Sequence, residues 1–236
     1  MQSFSARLTA VHDLTCDVRQ IDLALLDPPE MRFIAGQFVS FEIDRPGSAF
    51  PATRPYSIAS SPTDVTSVQL LFNRVSGGPG SGYLFGLQPG DVTAFRGPVG
   101  SFTLRDSARD ILVVATGTGI APIRSMLRAL TEAGSKRRIT LLWGLRGERD
   151  LYYQDELIDL RDRLPHFSFT TTLSQPGANW SGATGRVVPL VVSTIDTVAN
   201  LEVYLCGNGS MIREVRDIIR LTGVCPIYTE QYYSGN

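Results

Sequence analysis

The sequence predicts two domains of different class: an antiparallel Greek-key β-barrel over residues 1–105, then an α/β domain with a five-stranded parallel sheet over residues 106–236. Two observations favour this division. Short β segments separated by turn signals fill the first half, whereas strand and helix patterns alternate through the second. In addition, residues 111–130 pass from a short apolar run through a glycine turn into an apolar-periodic helix, which is typical of a parallel sheet.

In the first half, turn signals such as Pro89-Gly90-Asp91 separate six segments whose composition favours strands. These predicted strands cover residues 5–12, 18–26, 37–43, 54–59, 68–74 and 92–97. They favour a closed or nearly closed barrel, because closure removes exposed sheet edges. The one predicted helix, residues 81–87, follows a glycine-rich loop and has Ser81 as its N-cap.

In the second half, strands and helices are predicted to alternate. The predicted strands cover residues 111–115, 139–143, 168–172, 201–206 and 226–229, and the predicted helices cover residues 120–133, 153–164, 186–192 and 210–222. Such crossover helices indicate a parallel sheet, which binds ligands beyond the carboxyl ends of its strands. Two glycine-containing turns, 116–119 and 206–209, fall at such ends.

The turn at residues 116–119 has the features of an anion site. Gly117 and Gly119 allow a sharp turn and a close approach of the backbone to a ligand, while Pro122 suits the first turn of the following helix. Such a helix start directs free N–H groups at a phosphate or dinucleotide. Pro122 replaces the third glycine of the G-x-G-x-x-G pattern, so an ordinary strand-to-helix turn stays an equal alternative on this segment alone.

Composition excludes several classes of protein. The 236 residues carry a formal net charge of −1, which argues against a nucleic-acid binder. No apolar run approaches the roughly 20 residues that span a bilayer, and the N-terminus lacks the apolar core of a signal peptide, so we expect a cytoplasmic protein without membrane contact. Cys16, Cys206 and Cys225 lie far apart, which predicts no metal or iron–sulfur site, so redox chemistry would need an organic cofactor.

Six motifs occur in one characteristic order and spacing. They are Arg54-Pro55-Tyr56-Ser57, the glycine-rich segment 77–84, Gly97-Pro98-x-Gly100-x-Phe102, the turn 117–122, Cys206-Gly207-x-x-x-Met211 and the segment 228–232. Together they resemble the ferredoxin-NADP reductase superfamily, in particular the flavin and nicotinamide reductase modules that serve bacterial oxygenases. The resemblance covers nearly the whole chain and includes no iron–sulfur domain.

The resemblance implies a flavin site on the barrel. Arg54 would contact the flavin phosphate, Tyr56 would stack on the isoalloxazine and Ser57 would hydrogen-bond the reactive N5, with Pro55 between them. Backbone amides of Gly80, Ser81 and Gly82 would form a second anion site, which favours FAD over FMN because FAD has a pyrophosphate. A core tyrosine, a turn serine and a plain helix start are the structural alternatives.

The resemblance also implies a nicotinamide site on the second domain. Its binding residues would be Thr116, Gly117, Thr118, Gly119, Pro122, Cys206, Gly207 and Met211. Cys206 would lie near the nicotinamide C4, Glu230 would be an acid beside it, and Tyr232 would cover the other flavin face. Ser57, Cys206, Glu230 and Tyr232 are thus the predicted catalytic residues, although a buried cysteine and a surface glutamate without function are common.

We expect NADH as the preferred donor, with NADPH possible. A 2′-phosphate requires basic groups beside the adenosine ribose. Gln175, after the predicted third strand of the second domain, brings no charge there, whereas Arg146 and Arg149 could still reach a phosphate.

The implied function is hydride transfer from NAD(P)H to FAD, followed by single-electron transfer to a separate iron–sulfur ferredoxin or flavodoxin-type acceptor. A reductase of free flavin is the alternative enzyme. A sensor that uses the fold without turnover and one domain of a larger reductase are the alternatives from other classes.

Overall fold

The structure is a computed structural model that describes residues 1–44 and 50–233. The strands of these residues are β1 Gln2–Asp13, β2 Val18–Asp27, β3 Phe38–Ile43, β4 Ala52–Ser57, β5 Ser67–Asn73, β6 Val92–Val99, β7 Asp110–Thr116, β8 Ile139–Leu145, β9 Phe167–Leu173, β10 Ala183–Thr184, β11 Leu201–Asn208 and β12 Ile227–Tyr233. The α-helices are α1 Pro79–Gly86, α2 Ile120–Glu132, α3 Gln154–Arg163, α4 Val187–Thr194 and α5 Gly209–Thr222. Within the described residues, no helix has the length and apolarity that would let it cross a bilayer.

The first six strands form one antiparallel sheet in the order β4-β3-β6-β1-β2-β5. The sheet curls, and a bridge between Ile58 and Leu70 joins the chain after β4 to β5, so the two edge strands meet. Alternate side chains of each strand face inward, as in β1, where Phe4 and Leu8 are buried. The predicted antiparallel barrel is confirmed.

The second sheet is parallel and has the order β10-β9-β8-β7-β11-β12. The predicted number of five strands is wrong by one, because β10 adds a sixth strand at the edge. This strand has two residues, too few for any periodic pattern, and the Thr172 hydroxyl donates a hydrogen bond to the Gly185 carbonyl beside it (2.9 Å). The five predicted strands are all present.

The predicted start of the first helix is also wrong. Helix α1 begins at Pro79 with Gly78 as N-cap, because proline suits the first helical position. Ser81 therefore lies inside the helix and does not cap it. Its hydroxyl instead accepts a hydrogen bond from the Val75 amide (3.0 Å), which holds the glycine-rich loop against the helix.

The described chain divides into two compact units. One comprises residues 1–104 with 124–129, and the other comprises residues 105–123 with 130–233. The first unit contains the antiparallel sheet and the second contains the parallel sheet. The predicted boundary at residues 105/106 stays a proposal.

Candidate functional site

In the first unit, three predicted flavin contacts meet at one corner of the barrel. Arg54 and Tyr56 are two residues apart on β4 and so lie on the same face of the strand. A side chain at Gly80, in the first turn of α1, would overlap the Tyr56 hydroxyl and come within 2.8 Å of the Arg54 Cγ. The glycine therefore allows the start of α1 to pack directly against both side chains.

Packing holds the Tyr56 ring in place. It makes T-shaped contacts with the rings of Phe41 and Phe72, whose centroids lie 5.7 Å and 5.5 Å away. Ser57 follows at the end of β4 and is buried, whereas Pro55 is exposed. These contacts orient the ring at little further entropic cost when a ligand binds.

The same corner contains the Arg54 guanidinium and backbone amides that precede the first hydrogen bond of the helix. The Arg54 guanidinium donates to the Thr53 carbonyl (2.9 Å) and, among the described residues, forms no ion pair. The first helical hydrogen bond of α1 runs from the Gly82 amide to the Gly78 carbonyl (2.9 Å), so only the amides of Gly80 and Ser81 precede it. The Gly82 amide, predicted as a third contact, is thus already engaged within the helix because the helix begins earlier than expected, and its contact with the flavin stays a prediction. A guanidinium and two first-turn amides fit the pyrophosphate of FAD.

In the second unit, the dinucleotide turn, defined as residues 116–119, follows β7 directly. Gly117 has a positive φ of 52°, and a side chain added there would meet nothing within 4 Å. The indole N–H of Trp143, a fully buried residue of β8, donates to the Gly117 carbonyl (3.0 Å). The carbonyl is thus bonded to a buried side chain, whereas the Cα of Gly117 faces open space.

A second turn, the cysteine turn of residues 206–209, interlocks with the first. The Asn208 amide donates to the Thr116 hydroxyl oxygen (2.9 Å). A side chain on Gly119 would overlap the Cys206 carbonyl, and one on Gly207 would overlap the Thr116 hydroxyl. Both glycines are therefore required by close backbone packing.

Three of the four predicted catalytic residues lie together at the carboxyl ends of β11 and β12. Parallel pairing places Cys206 beside Glu230, and the Tyr232 side chain hydrogen-bonds the Cys206 thiol. Burial, and secondarily the Glu230 carboxylate, raise the pKa of Cys206 well above its ordinary value, while the Tyr232 hydrogen bond opposes them. The thiol is neutral at physiological pH. Ser57, the fourth residue, belongs to the first unit.

Three other residues that were predicted to contact the dinucleotide are buried in the protein. Met211 is buried in the apolar core under α5, and its amide donates to the Asn208 side chain (3.4 Å). Thr118 and Pro122 are buried at the start of α2. Met211 and Pro122 are thus buried residues, which a sequence pattern cannot distinguish from ligand contacts, and their contacts with the dinucleotide stay predictions.

The adenosine end of the predicted site is formed by two exposed loops after β8 and β9. The Gln175 amide donates to the Arg146 carbonyl (2.7 Å), so these two predicted residues are neighbours. The Gly177 amide donates to the Glu148 carboxylate (2.8 Å) in the same pair of loops. Glu148 is not among the residues predicted from the sequence, although an acidic residue shortly after the second strand is a known signal of ribose binding.

Comparisons with known proteins agree with this geometry. The family model "Oxidoreductase FAD-binding domain" matches residues 5–104, and "Oxidoreductase NAD-binding domain" matches residues 113–217. Ferredoxin–NADP reductase B of Sorangium cellulosum is 39% identical over 227 residues, which cover 93% of this chain and 92% of that protein. The chain belongs to the ferredoxin-NADP reductase family. It is an oxidoreductase that uses FAD and a nicotinamide dinucleotide, as predicted.

Further relatives are longer than this chain. The reductase component of propane 2-monooxygenase from Mycolicibacterium goodii is 33% identical over 220 residues, and the match covers 90% of this chain and 62% of that protein. Among solved structures, the Amycolatopsis cytochrome P450 reductase GcoB aligns with a TM-score of 0.87 at 27% identity, over 98% of this chain and 70% of that one. The fold predicted from the sequence is the fold of this family.

Proposed function

We propose that this chain passes electrons from NADH through FAD to a separate small ferredoxin-type protein, as the reductase component of an oxygenase system. The observation that carries the proposal is the match along almost the full length of a ferredoxin–NADP reductase. Two further relatives are named as a monooxygenase reductase component and a dioxygenase electron transfer component. We further propose a flavin domain over residues 1–105, a nicotinamide domain over residues 106–236 and a cytoplasmic location.

FAD, when bound, would supply the redox chemistry that links a hydride donor to a one-electron acceptor. Arg54 would hold the pyrophosphate by its guanidinium, together with the amides of Gly80 and Ser81. Tyr56, fixed by its aromatic neighbours, would present a flat surface to the flavin ring, and Ser57 would hydrogen-bond N5. These residues bind and orient the cofactor, and none of them has to act as a nucleophile.

In the second domain, the dinucleotide turn would hold the pyrophosphate of the nicotinamide dinucleotide. The neutral Cys206 thiol would form a compact, uncharged wall of the site beside the nicotinamide. A thiolate would instead place a negative charge next to the ring. Glu230 would lie at the edge of that wall, and Tyr232 would exclude water from the flavin. This cluster orients the donor and keeps the site dry.

Preference for NADH has support in the adenosine loops. Gln175 is uncharged, and the Glu148 carboxylate, held by the Gly177 amide, adds negative charge that disfavours a 2′-phosphate. Arg146 and Arg149 are exposed nearby and act in the opposite direction. A kcat/KM with NADPH that equals or exceeds the value with NADH overturns this assignment.

Stopped-flow kinetics with NADH test the acceptor. We expect fast reduction of [2Fe–2S] ferredoxins or flavodoxins, slow turnover of free riboflavin and FMN, and FAD retained through gel filtration. Slow transfer to every protein acceptor, with fast turnover of free flavin and loss of FAD on the column, makes the chain a free-flavin reductase instead.

A further inference from the structure

Thr116 joins the two turns of the nicotinamide domain. It is the last residue of β7 and opens the dinucleotide turn, yet its side-chain oxygen accepts the hydrogen bond of the Asn208 amide in the cysteine turn (2.9 Å). The hydroxyl oxygen is therefore engaged with protein at the point where a ligand contact was predicted.

The cysteine turn depends on this hydrogen bond for its position. Gly207 has a positive φ of 127°, a conformation with little intrinsic preference that needs support from its surroundings. Beyond it, the Asn208 side chain accepts hydrogen bonds from the Ser210 amide (2.8 Å) and hydroxyl (2.6 Å) and so caps α5. Asn208 is thus tied to α5 by its side chain and to β7 by its backbone, and Cys206 lies two residues before it.

We propose that Thr116 is a positioning residue. Through its hydrogen bond with the Asn208 backbone, it fixes the position of Cys206 relative to the dinucleotide turn. The proposal rests on the proposed function, because it assigns Cys206 to the nicotinamide end of the site. Misplacement of a reacting group slows the chemical step more than it weakens binding, since binding energy comes mainly from distant parts of the dinucleotide. Loss of the hydroxyl should therefore lower the rate of hydride transfer and leave KM nearly unchanged.

Thr116→Val tests this, because valine keeps the shape of threonine and removes the hydroxyl. In anaerobic stopped flow at saturating NADH, we expect the rate constant of flavin reduction to fall about 10- to 100-fold. KM for NADH should change less than about threefold, and NADH deuterated at C4 should show an isotope effect at least as large as in the wild type. Thr116→Ser keeps the oxygen and should restore most of the rate.

Thr172→Val is the matched control, since it removes another threonine hydroxyl hydrogen bond of the same parallel sheet. It should keep the wild-type rate constant. Gly207→Ala is a second disruption, because the added methyl group meets the Thr116 oxygen. If Thr116→Val does not fold, Gly207→Ala should show the fall in rate constant expected of it.

Two outcomes overturn the proposal. An unchanged rate constant in folded, FAD-loaded Thr116→Val shows that the hydroxyl does not position Cys206, and a higher KM at unchanged rate constant shows that it contacts the dinucleotide instead. Failure of the wild-type protein to reduce its FAD with NADH is a different result, which refutes the proposed function itself.

Discussion

The Cys206 side chain is fully enclosed at the end of β11, and this environment decides its protonation state. Burial raises the pKa of the thiol above the ordinary 9.0, and the neighbouring Glu230 carboxylate adds to the effect. A reactive thiolate requires a positive and accessible environment. Cys206 is therefore suited to shaping a site and unsuited to covalent catalysis.

This raised pKa predicts a pH-dependent stability. Above pH 9.0 the unfolded chain loses the thiol proton while the folded chain keeps it, so the free energy of unfolding falls as pH rises. Cys206→Ala should make this fall shallower by up to about 1.4 kcal/mol per pH unit, measured by urea unfolding between pH 8 and 10.5. Cys16→Ala, which alters an exposed thiol, should leave the slope unchanged. Equal slopes in the wild type and Cys206→Ala contradict the raised pKa.

Trp143 acts on the dinucleotide turn from inside the protein. Its indole N–H donates a hydrogen bond to the Gly117 carbonyl, and a side chain without this N–H leaves the carbonyl without that bond. Trp143→Phe should raise KM for NADH about fivefold, as loss of one buried hydrogen bond costs about 1 kcal/mol. Trp180→Phe is the control, since it also loses an indole hydrogen bond, to Ala183 (2.9 Å), but away from the turn. A KM for Trp143→Phe equal to that of the control refutes this role.

At the scale of the element, helix α1 has one glycine position that tolerates no side chain and another that is open. Gly80 packs on Arg54 and Tyr56, whereas a side chain on Gly86 would meet nothing within 4 Å. Gly80→Ala should displace the helix start and lose most of the bound FAD, measured as flavin absorbance per protein after gel filtration. Gly86→Ala should retain FAD and stability, because alanine favours a helix over glycine by about 1 kcal/mol. FAD retention in Gly80→Ala contradicts the predicted contact.

For the molecule as a whole, stability depends on a buried ion pair in the second unit. Arg137 pairs with Glu202, whose side chain is 1% exposed, and the Tyr204 hydroxyl donates to the same carboxylate (3.1 Å). Burial is the main reason that the pKa of Tyr204 is raised, so this hydroxyl keeps its proton. Arg137 also donates to the carbonyl of Arg109, just before β7.

Arg137→Met should therefore destabilise the protein by about 3–5 kcal/mol, because it leaves a buried carboxylate without its counter-ion. Urea unfolding at neutral pH measures the loss. The double variant Arg137→Met/Glu202→Gln removes both charges and should recover most of it. A loss below about 1 kcal/mol, typical of exposed pairs, contradicts the importance of this pair.

Sequence patterns predicted site residues but not the contacts among them. Arg54 and Tyr56 are predicted because they fall in an ordered set of motifs, and Gly80 because its amide lies at the start of a helix. Trp143 carried no signal, since an aromatic residue in a buried strand is usually core. The number of strands and the start of α1 were mispredicted because a two-residue strand and a proline-initiated helix depend on local contacts more than on periodicity.

By itself the sequence determined the two fold classes, the order of the elements, the family and the pair of cofactors, because hydrophobic periodicity and motif spacing are properties of the chain in one dimension. Only the tertiary structure decided that Thr116 faces Asn208, that Glu230 lies beside Cys206 and that Glu148 is held by Gly177. These pairs are separated by between 24 and 92 positions in the sequence. Their contacts arise from strand pairing and backbone packing, which no local pattern encodes.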